Sequence, residues 1–198
     1  MMKLLRSSVF FLVVICLSIA CSKNPHIFNG TPYQDPNPAP PIQLMDASGF
    51  PFQLEEYHGK IVLLYFGYTF CPDVCPSTLA NIRHIMEELG DSAEDVIFVM
   101  VTVDPARDTP EILREYLSRF HPRYVGLWGD GQDLEIVKQA YGVFSEIDPG
   151  SEPAIYLVSH TARIFLIDQE GILRTGYAFG TPNEGIHSDI KYLFESES

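Results

Sequence analysis

Two unbroken apolar runs dominate the chain, residues 61–66 (Ile-Val-Leu-Leu-Tyr-Phe) and 96–103 (Val-Ile-Phe-Val-Met-Val-Thr-Val). Continuous apolar character, without alternation, predicts strands buried on both faces, as in the middle of an α/β sheet. Between them Leu79, Ile82, Ile85, Met86 and Leu89 recur at three-four spacing and predict an amphipathic helix over 77–89. After the second run, Thr109-Pro110-Glu111 has the order of a cap residue, a proline and an acid that opens a helix. That helix should reach about residue 120 and stop before His121-Pro122. A short strand over 124–128 and a helix over 130–141, with Leu134, Ile136, Val137 and Ala140 as its apolar positions, come next. Residues 153–158 and 163–167 predict two strands around Ser159-His160-Thr161-Ala162, then a turn at 168–171 and a strand over 172–177. A last helix opens at Thr181-Pro182-Asn183-Glu184 and reaches about Phe194. Upstream, residues 42–46 and 50–54 form a hairpin across Ala47-Ser48-Gly49. Alternating β and α units imply parallel strands with right-handed crossovers, and the hairpins add antiparallel strands. The expected fold is α/β, a central mixed sheet with flanking helices.

The first forty residues lack this patterning. Lys3 and Arg6 precede a short apolar segment, 9–17, and Ser18-Ile19-Ala20-Cys21 puts a small residue just before a cysteine. This reads as a secretory leader, too short to span a membrane, which takes about 20 apolar residues. Cys21 is then the expected lipid-attachment residue of a bacterial lipoprotein; a retained single-pass anchor and plain secretion are the alternatives. Residues 22–41 carry Pro25, Pro32, Pro36, Pro38, Pro40 and Pro41 and read as a semi-extended spacer, with His26 as a solvent-exposed bystander. The expected organisation is a leader over 1–20, a linker over 21–41 and one folded domain over 42–198, held to the cell envelope and facing its extracytoplasmic side.

Composition sharpens this picture. An apolar content of 46% supports a packed core. The net charge is −13; without Lys3 and Arg6, eleven basic residues face 26 acidic ones, which leaves −15. Such a surface is a poor match for nucleic acid or anionic lipid. Four cysteines are present, but Cys16 lies in the leader and Cys21 before the domain, so the domain holds only Cys71 and Cys75. One close pair closes a very small loop and stabilises little, so a working dithiol is the stronger reading than a structural disulfide.

That pair sits in Gly67-Tyr68-Thr69-Phe70-Cys71-Pro72-Asp73-Val74-Cys75-Pro76, where the first buried strand turns into the first helix. Unpaired N–H groups and the helix dipole stabilise a thiolate there, and Pro76 suits a first helical turn. Helical residues four apart share a face, so one small partner can touch both sulfurs. A strand, a dithiol loop and a helix in this order form the layout of thioredoxin-like folds. Three further candidates accompany the pair. His160 interrupts an apolar hairpin; alone it reads as structural, but beside the dithiol loop it completes a soft site with an open fourth position, suited to copper and possible for zinc. Asp73 either caps the helix or acts as a weak accessory ligand. Asp104, Arg107 and Asp108 follow a parallel strand, where α/β folds build sites, though a turn-stabilising ion pair is the simpler account. His58, His84, His121 and His187 read as structural or solvated.

The dithiol stretch, the segment from Val103 to Pro110, and Tyr156-Leu157-Val158-Ser159-His160-Thr161 followed by Phe165-Leu166-Ile167-Asp168 together resemble the Sco/SenC family, over roughly residues 40–196. These are membrane-tethered, thioredoxin-fold copper proteins of cytochrome c oxidase assembly. The resemblance implies that Cys71, Cys75 and His160 bind one copper ion, as Cu(I) or Cu(II). Asp73 matches the family's acidic residue between the cysteines. It also implies that copper, or the reducing equivalents of the dithiol, serves the dinuclear copper site of oxidase subunit II. Another periplasmic copper chaperone or a thioredoxin-like reductant is a further expected partner, and the chain is expected to be a monomer. The rival reading is a catalyst, either a thiol-disulfide reductase or a thiol peroxidase. Val74-Cys75-Pro76-Ser77-Thr78 is similar to the peroxiredoxin stretch, but Pro72 stands where that family has a threonine and Ser77-Thr78 replaces Thr-Glu. A redox or copper sensor is a third possibility on which the sequence is silent.

Overall fold

The computed structural model describes residues 26–33, 37–149 and 156–196. The expected leader (1–20), the lipid-attachment residue Cys21 and the start of the predicted strand at 153–155 lie outside them.

In chain order the elements are β1 (Thr31–Pro32), β2 (Leu44–Asp46), β3 (Pro51–Phe52), a 3-10 turn (Leu54–Tyr57), β4 (Ile61–Gly67), α1 (Val74–Leu89), a second 3-10 turn (Gly90–Asp95), β5 (Val96–Thr102), α2 (Pro110–Ser118), β6 (Val125–Trp128), α3 (Gly131–Ala140), β7 (Ser145–Ile147), β8 (Val158–His160), β9 (Arg163–Ile167), β10 (Leu173–Ala178) and α4 (Asn183–Ser196). Eight strands form one sheet in the order β1-β10-β9-β4-β5-β6-β2-β3. β4, β5 and β6 are parallel neighbours, from Ile61↔Val96 to Gly67↔Thr102 in the first pair. β9 is antiparallel to β4 (Val62↔Ile167) and β10 is antiparallel to β9. The core order β10-β9-β4-β5, with helices after β4 and β10, is the thioredoxin-like arrangement. Every residue of β4 is buried, which is why this strand shows no polar alternation.

The predicted elements appear, with differences that matter for the site. α1 starts at Val74, not at residue 77, so Cys75 lies inside its first turn. Pro76 is tolerated there because that turn's N–H groups have no intrahelical partner. β8 spans Val158–His160, so it shares only Val158 with the strand expected over 153–158, and His160 lies on the strand and not in a connecting turn. Nor does β8 pair with β9, as the two flanking apolar runs suggested. It forms an antiparallel two-stranded ribbon with β7, in the register Ser145↔His160 and Ile147↔Val158. The added hairpin that carries His160 is therefore built with residues upstream of it.

The segment expected as a free spacer packs onto the body over its described residues. β1 pairs with β10 (Thr31↔Gly176) and Pro38 bridges to Ile172. His26 is not a bystander: its Nε2 lies 2.8 Å from Asp189 Oδ1 and its ring stacks on Tyr192 at 3.8 Å. Asp189, fully buried on α4, also accepts from the backbone N–H of Asn29 (2.8 Å), the Asn29 amide (2.9 Å) and the Tyr177 hydroxyl (2.8 Å). A buried carboxylate without such donors costs several kcal/mol, so Asp189 commits this segment to α4 and β10. Among the described residues, no helix is long and apolar enough to cross a membrane.

Candidate metal centre

β4 and β5 end together, and the turn after β4 is tied down before the cysteines are reached. Asp108, fully buried, accepts from the Thr69 N–H (3.0 Å), the Thr69 hydroxyl (2.6 Å) and the Thr102 hydroxyl (2.6 Å). Val103 N–H donates to Gly67 O at 2.9 Å. Asp108 thus stands apart from the expected ion pair, which is made by Arg107 Nε and Asp104 Oδ2 at 2.5 Å.

The two sulfurs differ in setting. Cys71, half-buried in the loop, accepts the Cys75 backbone N–H at 3.3 Å. Cys75 is fully buried, and its Sγ accepts from the Tyr65 hydroxyl at 3.4 Å and lies 3.5 Å from His160 Nε2. Both cysteines are free thiols. The Cys75 thiol hydrogen-bonds to the Cys71 sulfur, and His160 with the N–H groups of Cys75 and Asp73 adds to that, so the Cys71 thiol titrates well below its ordinary range despite burial. The Cys75 thiol is pushed up, first by that same hydrogen bond and then by burial. The two sulfurs are thus driven apart, Cys71 toward the thiolate and Cys75 toward the thiol.

His160 reaches the pair from β8, outside the main sheet, so its placement depends on side chains that join the two layers. The Tyr68 hydroxyl accepts the Val158 N–H at 3.2 Å. Arg107 donates from Nη1 to Tyr156 O at 2.8 Å, with its guanidinium 3.5 Å from the Tyr156 ring centroid and 4.9 Å from that of Phe70. The Tyr156 hydroxyl donates to Asp104 at 2.7 Å. The imidazole meets Tyr65 and Tyr68 edge-on.

One ligand atom each from Cys71, Cys75 and His160 lies within 4.8 Å of the others. Two soft sulfurs and an imidazole are a donor set suited to copper. Cys71 and His160 border a cleft of about 300 Å³ lined also by Asp73, Leu157 and Asp148, and Cys75 lies buried behind them. Asp73 takes the N-cap position of α1 without a side-chain cap bond. Its carboxylate faces Ser77 Oγ at 3.5 Å, on the rim and not between the sulfurs. A larger groove of about 640 Å³, between the β2–β3 hairpin and Trp128, has no cysteine or histidine in its lining, so the chemistry belongs to the smaller cleft. Sequence reasoning missed Tyr65 and Tyr68 as supports of the site; Arg107 was among its candidates, as a site residue or as one half of a turn-stabilising ion pair, and that ion pair is present. A hydroxyl inside a fully apolar strand, which must find a partner when buried, was the available signal for Tyr65.

The sequence model of the SCO1/SenC family matches residues 31–195. The chain belongs to the SCO1/SenC family. It is 35% identical over 159 residues to an SCO2-like protein of Rickettsia prowazekii, covering 79% of this chain and 78% of that one. Copper-bound ScoI from Bradyrhizobium japonicum superposes with a TM-score of 0.71 at 34% identity, covering 79% of this chain and 99% of that one. Apo Sco1 from Thermus thermophilus gives a TM-score of 0.76 at 36% identity, with coverages of 86% and 99%. The Sco match begins ahead of residue 42, consistent with β1 being part of the folded body.

Proposed function

We propose that this Sco protein binds one copper ion through Cys71, Cys75 and His160 and uses it in cytochrome c oxidase assembly, at the dinuclear copper site of subunit II. The observation that carries the reading is the convergence of two sulfurs and one imidazole within 4.8 Å, from segments 85 residues apart. Thiolates favour Cu(I), while the imidazole and the open side toward the cleft accommodate Cu(II). Copper is the cargo, and the chain's own part is to hold three donors in place and to leave one face open for transfer. Asp73, at the cleft rim, is placed for an accessory role during entry. The N-terminal sequence, with Lys3, Arg6, the apolar 9–17 segment and Cys21, supports a lipid-anchored protein on the extracytoplasmic face of a bacterial envelope.

A second reading is favoured by the asymmetry of the pair. A half-buried Cys71 whose thiol is held low, beside a fully buried Cys75 whose thiol is pushed up, is the arrangement of a disulfide reductase. The Cys71 thiolate attacks a substrate disulfide, forming a mixed disulfide and releasing one substrate thiolate. Cys75, giving up its proton, then attacks Cys71 Sγ, which forms the Cys71–Cys75 bond and releases the second thiolate. The two roles are coupled, because the disulfide removes both sulfur ligands.

Anaerobic copper titration of the reduced protein, alongside Cys71→Ser and His160→Ala, tests the first reading. One copper per chain, lost in Cys71→Ser and weakened in His160→Ala with the fold intact, is expected. Wild-type protein that takes up no tight copper but turns over a disulfide would transfer the assignment to the reductase.

A further inference from the structure

Tyr65 sits in the middle of the sheet on a strand whose other side chains, from Ile61 to Phe66, are aliphatic or phenyl. A phenylalanine would fill the same space, so packing does not require its hydroxyl. That hydroxyl points at Cys75 Sγ, 3.4 Å away, from a side chain that is fully buried. The approach is possible because residue 67 is glycine. A Cβ there would lie 2.6 Å from Tyr65 Cε1 and 3.0 Å from Cys75 Sγ. The ring is further fixed by stacking on Phe98 and by an edge-on contact with His160.

We propose that Tyr65 is a positioning residue that acts through Cys75, its O–H···S hydrogen bond weakening that sulfur as an electron donor toward copper and favouring the reduced dithiol over the disulfide. This rests on the reading of Cys71 and Cys75 as a copper-binding dithiol. A hydrogen bond to a ligand sulfur lowers the energy of its lone pair and tunes the site it belongs to. In the disulfide, Cys75 Sγ is a poorer acceptor, and the phenol in its dry core is left with the Thr78 hydroxyl, itself committed to Val74 O, in place of the sulfur. Oxidation forms one Cys71–Cys75 bond and passes two electrons to the disulfide of an external thiol buffer, which is reduced to two thiols, its two protons coming from the dithiol and, for any proton the dithiol has already lost, from solvent.

The test compares wild type, Tyr65→Phe and Tyr124→Phe. The control removes another buried hydroxyl, one bonded to Leu79 O at 2.9 Å, and leaves both sulfurs alone. Each apo protein is equilibrated in a glutathione redox buffer at fixed pH, and each is loaded with Cu(II) for visible spectra. In Tyr65→Phe the equilibrium should move toward the disulfide by about threefold to tenfold, the worth of one hydrogen bond. That corresponds to a potential lower by about 15 to 30 mV. Its sulfur-to-copper charge-transfer band should move to longer wavelength, while Tyr124→Phe matches wild type in both. An unchanged equilibrium and band in Tyr65→Phe, or equal shifts in Tyr124→Phe, would overturn the assignment. If wild type takes up no copper, the copper reading fails, and the apo equilibrium still decides the role of Tyr65.

Discussion

Asp108 carries the most stringent prediction about how the site is held. It joins the end of β5, the start of α2 and the turn two residues before Cys71, through the Thr102 hydroxyl and both donors of Thr69. Asp108→Ala leaves one buried N–H with no acceptor, at about 1–3 kcal/mol. The two hydroxyls can rotate to weaker partners, and losing a desolvated carboxylate offsets part of the cost. The net expectation is about 1–3 kcal/mol of lost stability by urea unfolding. Asp108→Asn keeps one acceptor oxygen and should cost about half of that. Burial raises the Asp108 carboxyl above its ordinary value of 3.8, opposed by the hydrogen bonds from Thr102 and Thr69. A raised folded-state value contributes stability that is present below the unfolded value and is lost as pH rises through the folded one. The advantage of wild type over Asp108→Asn should therefore be larger near pH 4 than near pH 7. Copper retention should fall in Asp108→Ala, because Thr69 is no longer pinned, and by less in Asp108→Asn, which keeps one acceptor for it. A difference below about 0.5 kcal/mol, within the range of an ordinary surface substitution, would refute the role given to these hydrogen bonds. So would a wild-type advantage that grows with pH, which would mean that the three donors hold Asp108 ionised.

Other substitutions read out separate parts of the account. Gly67→Ala should lower stability by about 1–3 kcal/mol in urea unfolding, because its Cβ meets Tyr65 and Cys75 in an overpacked core. Arg107→Lys cannot bond Asp104 and Tyr156 O while stacking between Phe70 and Tyr156. Copper retention against a chelator should drop by about tenfold, the lower end for a group that orients a ligand, while thermal stability changes little. His26→Ala loses its bond to Asp189 and its stacking on Tyr192. Hydrogen exchange over residues 26–33 should quicken by about tenfold, for a loss of about 1–2 kcal/mol, with copper binding unchanged. Exchange that stays slow there would show that β1 and Asn29 suffice to hold the segment.

The sheet and the three residues that cluster at its end, Cys71, Cys75 and His160, were legible because their signals are local. The apolar runs mark β4 and β5, three-four spacing marks α1, and the cysteines and His160 lie in motifs that resemble one family. What escaped depends on contacts between distant parts of the chain. β7 is only Ser145, Glu146 and Ile147, half-buried or exposed, with no pattern that announces a partner for β8. β1 contains Pro32 and lies in a proline-rich stretch, and its place on β10 follows from His26 meeting Asp189, 163 residues away. Tyr65 was hidden because its ring satisfies the apolar pattern, while its hydroxyl serves a sulfur ten residues later.

The most direct measurement of the central claim is X-ray absorption at the copper edge of the Cu(I)-loaded, reduced protein, beside His160→Ala. The account predicts a first shell of two sulfurs and one imidazole nitrogen in wild type, with the imidazole signal absent from the variant. A shell of nitrogen and oxygen alone, or one unchanged by removing His160, would contradict it.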